Sequence, residues 1–346
     1  MAGPRGYRQY RGRTSKAKVA AAIFLVLVIL VAVVVILLQR HIVYDETGTP
    51  HLELPWEETE PSQSEDGLGG GELDLTIEGP EEPAVEKAAI RAYGIPAGVL
   101  TADSWATIQS VMQIAEPRYN AVAVTLKDSS GKVYFDSASA VSGAVKTAED
   151  TAAVLAEVTA DGYTIARISC FHDSRAANSY VESMGLKNTG GYIFYDGNNT
   201  QWLDPSKPEA RSYLCNLVRE AAELGFDEIL LTDVCYPLEG KLDKIAYGDV
   251  DREATLVSFL QEVRAVLEPY SVALSMEVPE AVVAEGKSEA ASWTLSGAAK
   301  AVDWLYAATG MESIDSYAEK VVAYDVASFV PILEENSRLD GCLVLG

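Results

Sequence analysis

Two carboxylates in this chain fall at positions where they could work together. Asp233 sits in "GFDEILLTDVCYP" (225–237), and Glu277 closes "SVALSME" (271–277). Each follows a short apolar run that reads as a buried strand. Two acids across one cleft are equipped to cleave a glycosidic bond: one protonates the leaving oxygen, and the other attacks the sugar or activates water. A carboxyl separation of roughly 5–5.5 Å would go with retention of configuration, and one of about 6.5–9.5 Å with inversion. An acidic chain also places carboxylates in loops for other reasons, such as capping helices or pairing with Lys127 and Arg167.

Other strand ends are polar too. One runs Thr125-Leu126-Lys127-Asp128, and another runs Arg167-Ile168-Ser169-Cys170-Phe171-His172-Asp173. Strand alternation puts Thr125 with Lys127, Arg167 with Ser169, Thr232 with Glu228, and Ser275 with Glu277 on shared faces. Lys127, Asp128, Arg167 and Asp173 are therefore candidate substrate-binding groups. The loops between add Tyr192, Phe194, Tyr195, Trp202 and Tyr236, of which Trp202 and Tyr236 are candidate binding rings. Flat rings suit sugar faces, but the same rings could simply pack loops over a rim.

These residues need a frame. Eight short apolar runs, near 91–95, 121–127, 163–170, 228–234, 271–277, 302–308, 328–333 and 341–345, alternate with helical patterns at 104–115, 147–160, 208–224, 252–267, 290–301 and 314–323. Leu214, Leu217, Val218, Ala221 and Leu224 make the apolar face of one such helix, and Gly225 supplies its left-handed stop. Strands separated by helices pair in parallel. The spacing predicts an α/β fold, a TIM-type (β/α)8 barrel over 89–346, with function at the C-terminal strand ends. No helix pattern follows the eighth strand. The alternative is a doubly wound open sheet, but no Gly-x-Gly-x-x-Gly follows the first strand.

The first ninety residues differ in kind. Arg5, Arg8, Arg11, Arg13, Lys16 and Lys18 form a basic tail (1–18) ahead of an apolar run at 19–38. Twenty such residues rising about 1.5 Å each span a bilayer core, and the basic flank puts the N-terminus in the cytoplasm. A cleaved signal peptide would have a shorter apolar region and a small-residue cleavage site, which Leu37, Leu38, Gln39, Arg40 and His41 do not offer. The stretch at 39–88 is dense in Asp and Glu from residue 45 and carries no Lys or Arg from there to 86. It reads as a disordered tether. Together these predict a single-pass cell-membrane protein with its barrel outside the cytoplasm and with the membrane as one partner.

The formal net charge is −24, which argues against nucleic acid as a partner. Of the three His, only His172 lies beyond the tether, so neither a His-based metal site nor a Ser-His-Asp triad is expected. No cofactor is called for. The four Cys form no C-x-x-C pair. Cys170 and Cys235 fall at neighbouring strand ends, so a bridge between them is open beside buried free thiols.

Several segments resemble, in order, those of a bacterial family of glycosyl-hydrolase-like barrel domains. "NAVAVTLKDSSGKVYFDS" (120–137) is similar to the family's "NAVVVDVKDSSGKVYYDS", and "YTIARISCFHD" (163–173) to its "YVIARIVVFKD". "WLDPSKPEARSYLCNLVREAAELGFDEI" (202–229) is similar to its "WVDPSNPEVWDYNVAIAKEAAELGFDEI". The resemblance implies a barrel with a glycosidase-like mouth acting on, or binding, polysaccharide or another glycan. Departures cluster at the strand ends. The family's "GFDEIQFDYVRFP" has Asp where this chain has Thr232, Tyr where it has Asp233, and Arg where it has Cys235. Asp233 is thus displaced by one residue, which on an ideal strand means the opposite face. Val330 and Ile332 stand where the family shows Arg and Trp. Glu277 matches an acidic position. Two functions follow as expectations: a glycosidase with Glu277 as general acid and Asp233 as nucleophile or base, or a non-catalytic envelope protein that binds glycan or protein at the barrel mouth.

Overall fold

The computed structural model describes residues 42–44, 50–52, 90–324, 328–336, 338–339 and 341–346. The chain divides into two units, Met1–Gly79 and Pro80–Gly346. In the first, Ile42–Tyr44 pairs antiparallel with Pro50–Leu52, a short ordered pairing inside the stretch expected to be a bare tether. The apolar run at 19–38 lies outside the described residues. Among the described residues, no helix is long and apolar enough to cross a membrane.

The second unit is a closed parallel barrel of eight strands: β1 (Arg91–Ile95), β2 (Ala121–Lys127), β3 (Tyr163–Ser169), β4 (Glu228–Thr232), β5 (Ala273–Glu277), β6 (Trp304–Ala308), β7 (Ser328–Leu333) and β8 (Cys342–Leu345). Each strand pairs with the next, and β8 closes on β1 through Leu343 opposite Ala92. The helices are α1 (Ala102–Ile114), α2 (Thr151–Val158), α3 (Ser174–Ser179), α4 (Pro208–Ala222), α5 (Arg252–Leu267), α6 (Glu280–Glu285), α7 (Leu295–Ala301) and α8 (Ile314–Val322). This is a TIM barrel, as the alternation of elements predicts. No described helix follows β7 or β8.

Local chemistry explains the elements. Pro208 opens α4 without losing a hydrogen bond. Its buried residues include Leu214, Leu217, Val218 and Ala221, and Gly225 turns the chain at φ 88°. The Asp251 side chain accepts from Ala254 N at 2.9 Å to start α5. Two apolar layers result. The larger lies between helices and barrel, with Leu274, Phe259 and Leu305 among its members. The smaller fills the barrel bore with Ala92, Ala123, Ile165, Leu230, Tyr306, Val330 and Leu343. Both Leu230 and Leu274 are fully buried.

The bore has a polar floor. Glu228, at the start of β4, is fully buried and accepts from Tyr306 Oη at 2.8 Å and Tyr163 Oη at 2.9 Å. Burial, then the neighbouring Glu228 charge, pushes both phenols far above the ordinary tyrosine range.

Differences from the sequence reading lie at boundaries and in two short helices it did not name, α3 and α6. β3 and β4 stop at Ser169 and Thr232, one and two residues early. The reason at β4 is backbone: Asp233 takes φ 55°, a left-handed conformation that Asp tolerates better than most residues and that ends a strand. The helical pattern at 290–301 is split, with Lys287–Ser288 pairing antiparallel with Trp293–Thr294 before α7 starts. All four cysteines are free and buried, so Cys170 and Cys235 do not form the bridge left open by the sequence.

Candidate active site

The C-terminal ends of β2 to β6 surround a cleft of about 420 Å³, lined by Thr125, Lys127, Asp128, Arg167, Ser169, Thr232, Asp233, Cys235, Leu238, Glu277 and Glu280, among others. Five of the eight residues singled out from the sequence meet there: Lys127, Asp128, Arg167, Asp233 and Glu277.

Asp233 reaches the cleft because of its backbone. On an extended strand its side chain would point opposite to Thr232. The left-handed turn brings both to the same cleft. Two hydroxyls then meet the carboxylate: Ser169 Oγ lies 2.6 Å and Thr232 Oγ1 3.2 Å from Oδ2. The peptide oxygen of Asp233 is held by Phe171 N at 3.1 Å, so β3 and β4 stay tied beyond their formal ends. One conformational change thus compensates for the displacement of the carboxylate in sequence.

Glu277 is the second acid. Burial pushes its carboxyl above the ordinary glutamate range; Arg167 opposes the shift, and the charge of Asp233 adds to it. Arg167 Nη2 donates to Glu277 Oε2 at 3.2 Å. Both acids remain reachable, with side chains 28% (Glu277) and 29% (Asp233) exposed. Arg167 pairs in register with Leu230, and Leu230 with Ser275. Below the carboxylates, Arg167 Nε and Ser275 Oγ are buried without a hydrogen-bond partner, which leaves them free to bind water within the bore.

Lys127 and Asp173 have a structural geometry. The register of β2 against β3 shifts between Thr125 and Lys127, an irregularity that re-aims the lysine. Lys127 Nζ lies 3.0 Å from Asp173 Oδ2, with both side chains fully buried, and donates to Ser169 O at 2.6 Å. Asp173 caps α3 through Ala176 N at 2.8 Å and does not line the cleft. Gly131, at φ 82°, packs so closely that a Cβ there would stand 2.0 Å from Asp173 Oδ1. Asp128 is held by its own loop, accepting from Ser130 N, Ser130 Oγ, Lys132 N and Tyr134 Oη at 2.7–3.0 Å. Burial works to raise its carboxyl, but these donors hold it below the usual range. In turn, burial and Asp128 push the Tyr134 phenol up to about 12.

Trp202 and Tyr236 are buried beside the mouth and do not line the cleft. Trp202 stacks on His172, ring centroids 4.3 Å apart and 6° from parallel. The exposed aromatic rings of the long stretch after β3 include Tyr180, Tyr192 and Tyr195. Sequence reasoning missed Ser169, Thr232 and His172 as members of the site. The five-residue span from Ser169 to Asp173 held two of them, but hydroxyls and a lone histidine carry little signal without the fold.

A model of the family described as "Putative glycosyl hydrolase domain" matches residues 97–325. The chain belongs to this family. The match takes in every strand end that builds the cleft. No curated protein sequence matches the chain. Among solved structures, the glycoside hydrolase domain of PgaB (BpsB) from Bordetella bronchiseptica is 14% identical, with 71% of this chain and 84% of that one covered at a TM-score of 0.50. A cycloisomaltooligosaccharide glucanotransferase from Paenibacillus sp. is also 14% identical at a TM-score of 0.50, over 73% of this chain and 39% of that one. This chain therefore spans well under half of that enzyme. A hypothetical protein from Ruminiclostridium thermocellum is 24% identical over 54% of this chain and 96% of its own, at a TM-score of 0.44. At these identities the likeness is one of fold.

Proposed function

We propose that this protein hydrolyses a glycosidic bond within a cell-envelope or environmental polysaccharide. Glu277 is the general acid, and Asp233 is the nucleophile or general base. The observation that carries this is the convergence of two reachable carboxylates in unlike surroundings on one cleft. Glu277 is held toward its protonated form by burial and by the Asp233 charge. Asp233 receives donors from Ser169 and Thr232. An acid held toward its protonated form across a cleft from a second carboxylate matches the division of roles that glycoside cleavage requires. A polymeric substrate is supported by the shape of the mouth. Through Glu280 and Ala308 the cleft borders a second hollow of about 550 Å³ at the ends of β6 and β7, which gives room for sugars on either side of a bond.

In this reading the N-terminal run at 19–38 anchors the chain in the cell membrane, and the acidic tether holds the barrel outside. Asp128 and Arg167, with Lys127 behind them, contact the glycan.

The test is turnover on a panel of glycans by wild type and Glu277→Gln. Loss of about 100-fold or more in kcat for the variant fits a general acid; equal turnover in the two removes Glu277 from the mechanism. A second reading, glycan binding without cleavage, is favoured by the Arg167–Glu277 ion pair, which occupies the acid in the free protein. It predicts no turnover in either form, with retained glycan binding.

A further inference from the structure

His172 has no part in the chemistry described so far, yet at the edge of the cleft one ring nitrogen meets a hydroxyl and the other faces a carboxylate. Nε2 lies 2.7 Å from Thr200 Oγ1, and Nδ1 lies 3.9 Å from Asp233 Oδ1. Thr200 decides which nitrogen carries hydrogen. Its hydroxyl also stands 2.5 Å from Asp196 Oδ2. That carboxylate is already surrounded by donors: Asn198 N at 3.0 Å, Thr200 N at 2.8 Å and Trp202 Nε1 at 2.8 Å. Burial works against the charge of Asp196, but these donors hold it below the ordinary carboxylate range. An ionised carboxylate has no proton to give. The single hydroxyl proton of Thr200 therefore goes to Asp196, and the Thr200 oxygen must accept from His172. Nε2 carries the hydrogen.

Stacking on Trp202 fixes the plane of the ring. Nδ1 is left facing Asp233. In the neutral ring this nitrogen presents a lone pair to a carboxylate oxygen, and the two repel. With a proton on Nδ1 they attract, and Asp233 is drawn to one orientation. We propose that His172 is a positioning residue for Asp233, its Nε2 side locked by Thr200 and Asp196 so that only its Nδ1 side answers to the carboxylate. The consequence for turnover rests on the glycosidase reading; the coupling between ring and carboxylate does not.

The other charges nearby are committed elsewhere. Asp173, next in the chain, turns to Lys127. Glu277 pairs with Arg167 and feels the charge of Asp233. Asp196 sits 3.9 Å from Nε2, on the far side of the ring from Asp233. Nδ1 therefore faces Asp233, with Asp196 on the Nε2 side.

The experiment is imidazole ¹⁵N NMR on the full chain. His172 is the one histidine beyond residue 51 among three, so His41→Gln and His51→Gln assign its signals. The neutral wild-type ring is expected in the Nε2–H form, and Thr200→Val should shift it toward Nδ1–H. Asp233→Asn should shift the Nδ1 signal of His172, because the carboxylate that this nitrogen faces becomes a neutral amide. A neutral wild-type ring with hydrogen on Nδ1, or the same Nδ1 signal in wild type and Asp233→Asn, overturns the proposal. Where wild type turns over a glycan, His172→Gln should lower kcat with little change in KM. Failure of turnover in wild type sinks the hydrolase reading and leaves the NMR result to decide this one.

Discussion

Glu277 is where chemistry and stability oppose each other. Its carboxyl titrates above the ordinary value of 4.5 in the folded barrel. The folded state therefore holds the proton to higher pH than the unfolded chain does. The stability this confers is present in full below the ordinary value and is lost as pH rises through the folded one. Glu277→Gln removes the titration. Urea denaturation of both forms across acidic to neutral pH should show the variant gaining stability relative to wild type as pH rises; a constant difference would mean that the carboxyl is not shifted. Lys127 tests the opposite kind of residue. Lys127→Met leaves Asp173 buried and uncompensated, and should cost about 3–5 kcal/mol in the same assay. Replacing both, as Lys127→Met with Asp173→Leu, should recover part of that loss. Equal stability of the single variant and wild type would show that the pair is not buried in solution.

The strands carry the most predictable energetics, and they were also the most legible part of the sequence. Leu230 fills the bore, so Leu230→Ala should cost roughly 2–5 kcal/mol; a loss below about 0.5 kcal/mol would contradict its place in that layer. Short apolar runs separated by helical patterns were enough to place all eight strands, because strands covered by helices on one side and filling the bore on the other are apolar on both faces. Strand endings were harder to read, because a single backbone angle at Asp233 decides whether a displaced carboxylate faces the cleft, and no composition signal encodes it. Lys127 and Asp173 looked like ligand contacts for a similar reason: a charge at a strand end reads the same whether it faces solvent or a buried partner. The loop after β2 shows how tightly such a pair is boxed in. Gly131→Ala would force a side chain onto Asp173 at an unfavourable φ. It should destabilise the protein and disturb the orientation of Lys127, which an equilibrium denaturation curve would register as a lowered midpoint.

At the scale of the whole molecule, the proposed anchor and barrel make separable claims. The full chain should stay with membranes through high-salt washing, and protease added outside intact cells should release the barrel by cutting within 45–86. A mature N-terminus beyond Arg40 would replace the anchor with a cleaved leader. A barrel placed outside the cytoplasm meets oxidants, and here its four thiols are relevant. None is paired and all are buried, and burial pushes Cys170, Cys215 and Cys235 far from the reactive thiolate form. Cys170 and Cys235 lie at the mouth, Cys215 in α4 and Cys342 in β8, so together they report on three parts of the barrel. A thiol-alkylating reagent would thus act as a clock for local opening: the order in which the four cysteines are labelled under mild denaturant gives the order in which the barrel comes apart, without any introduced probe.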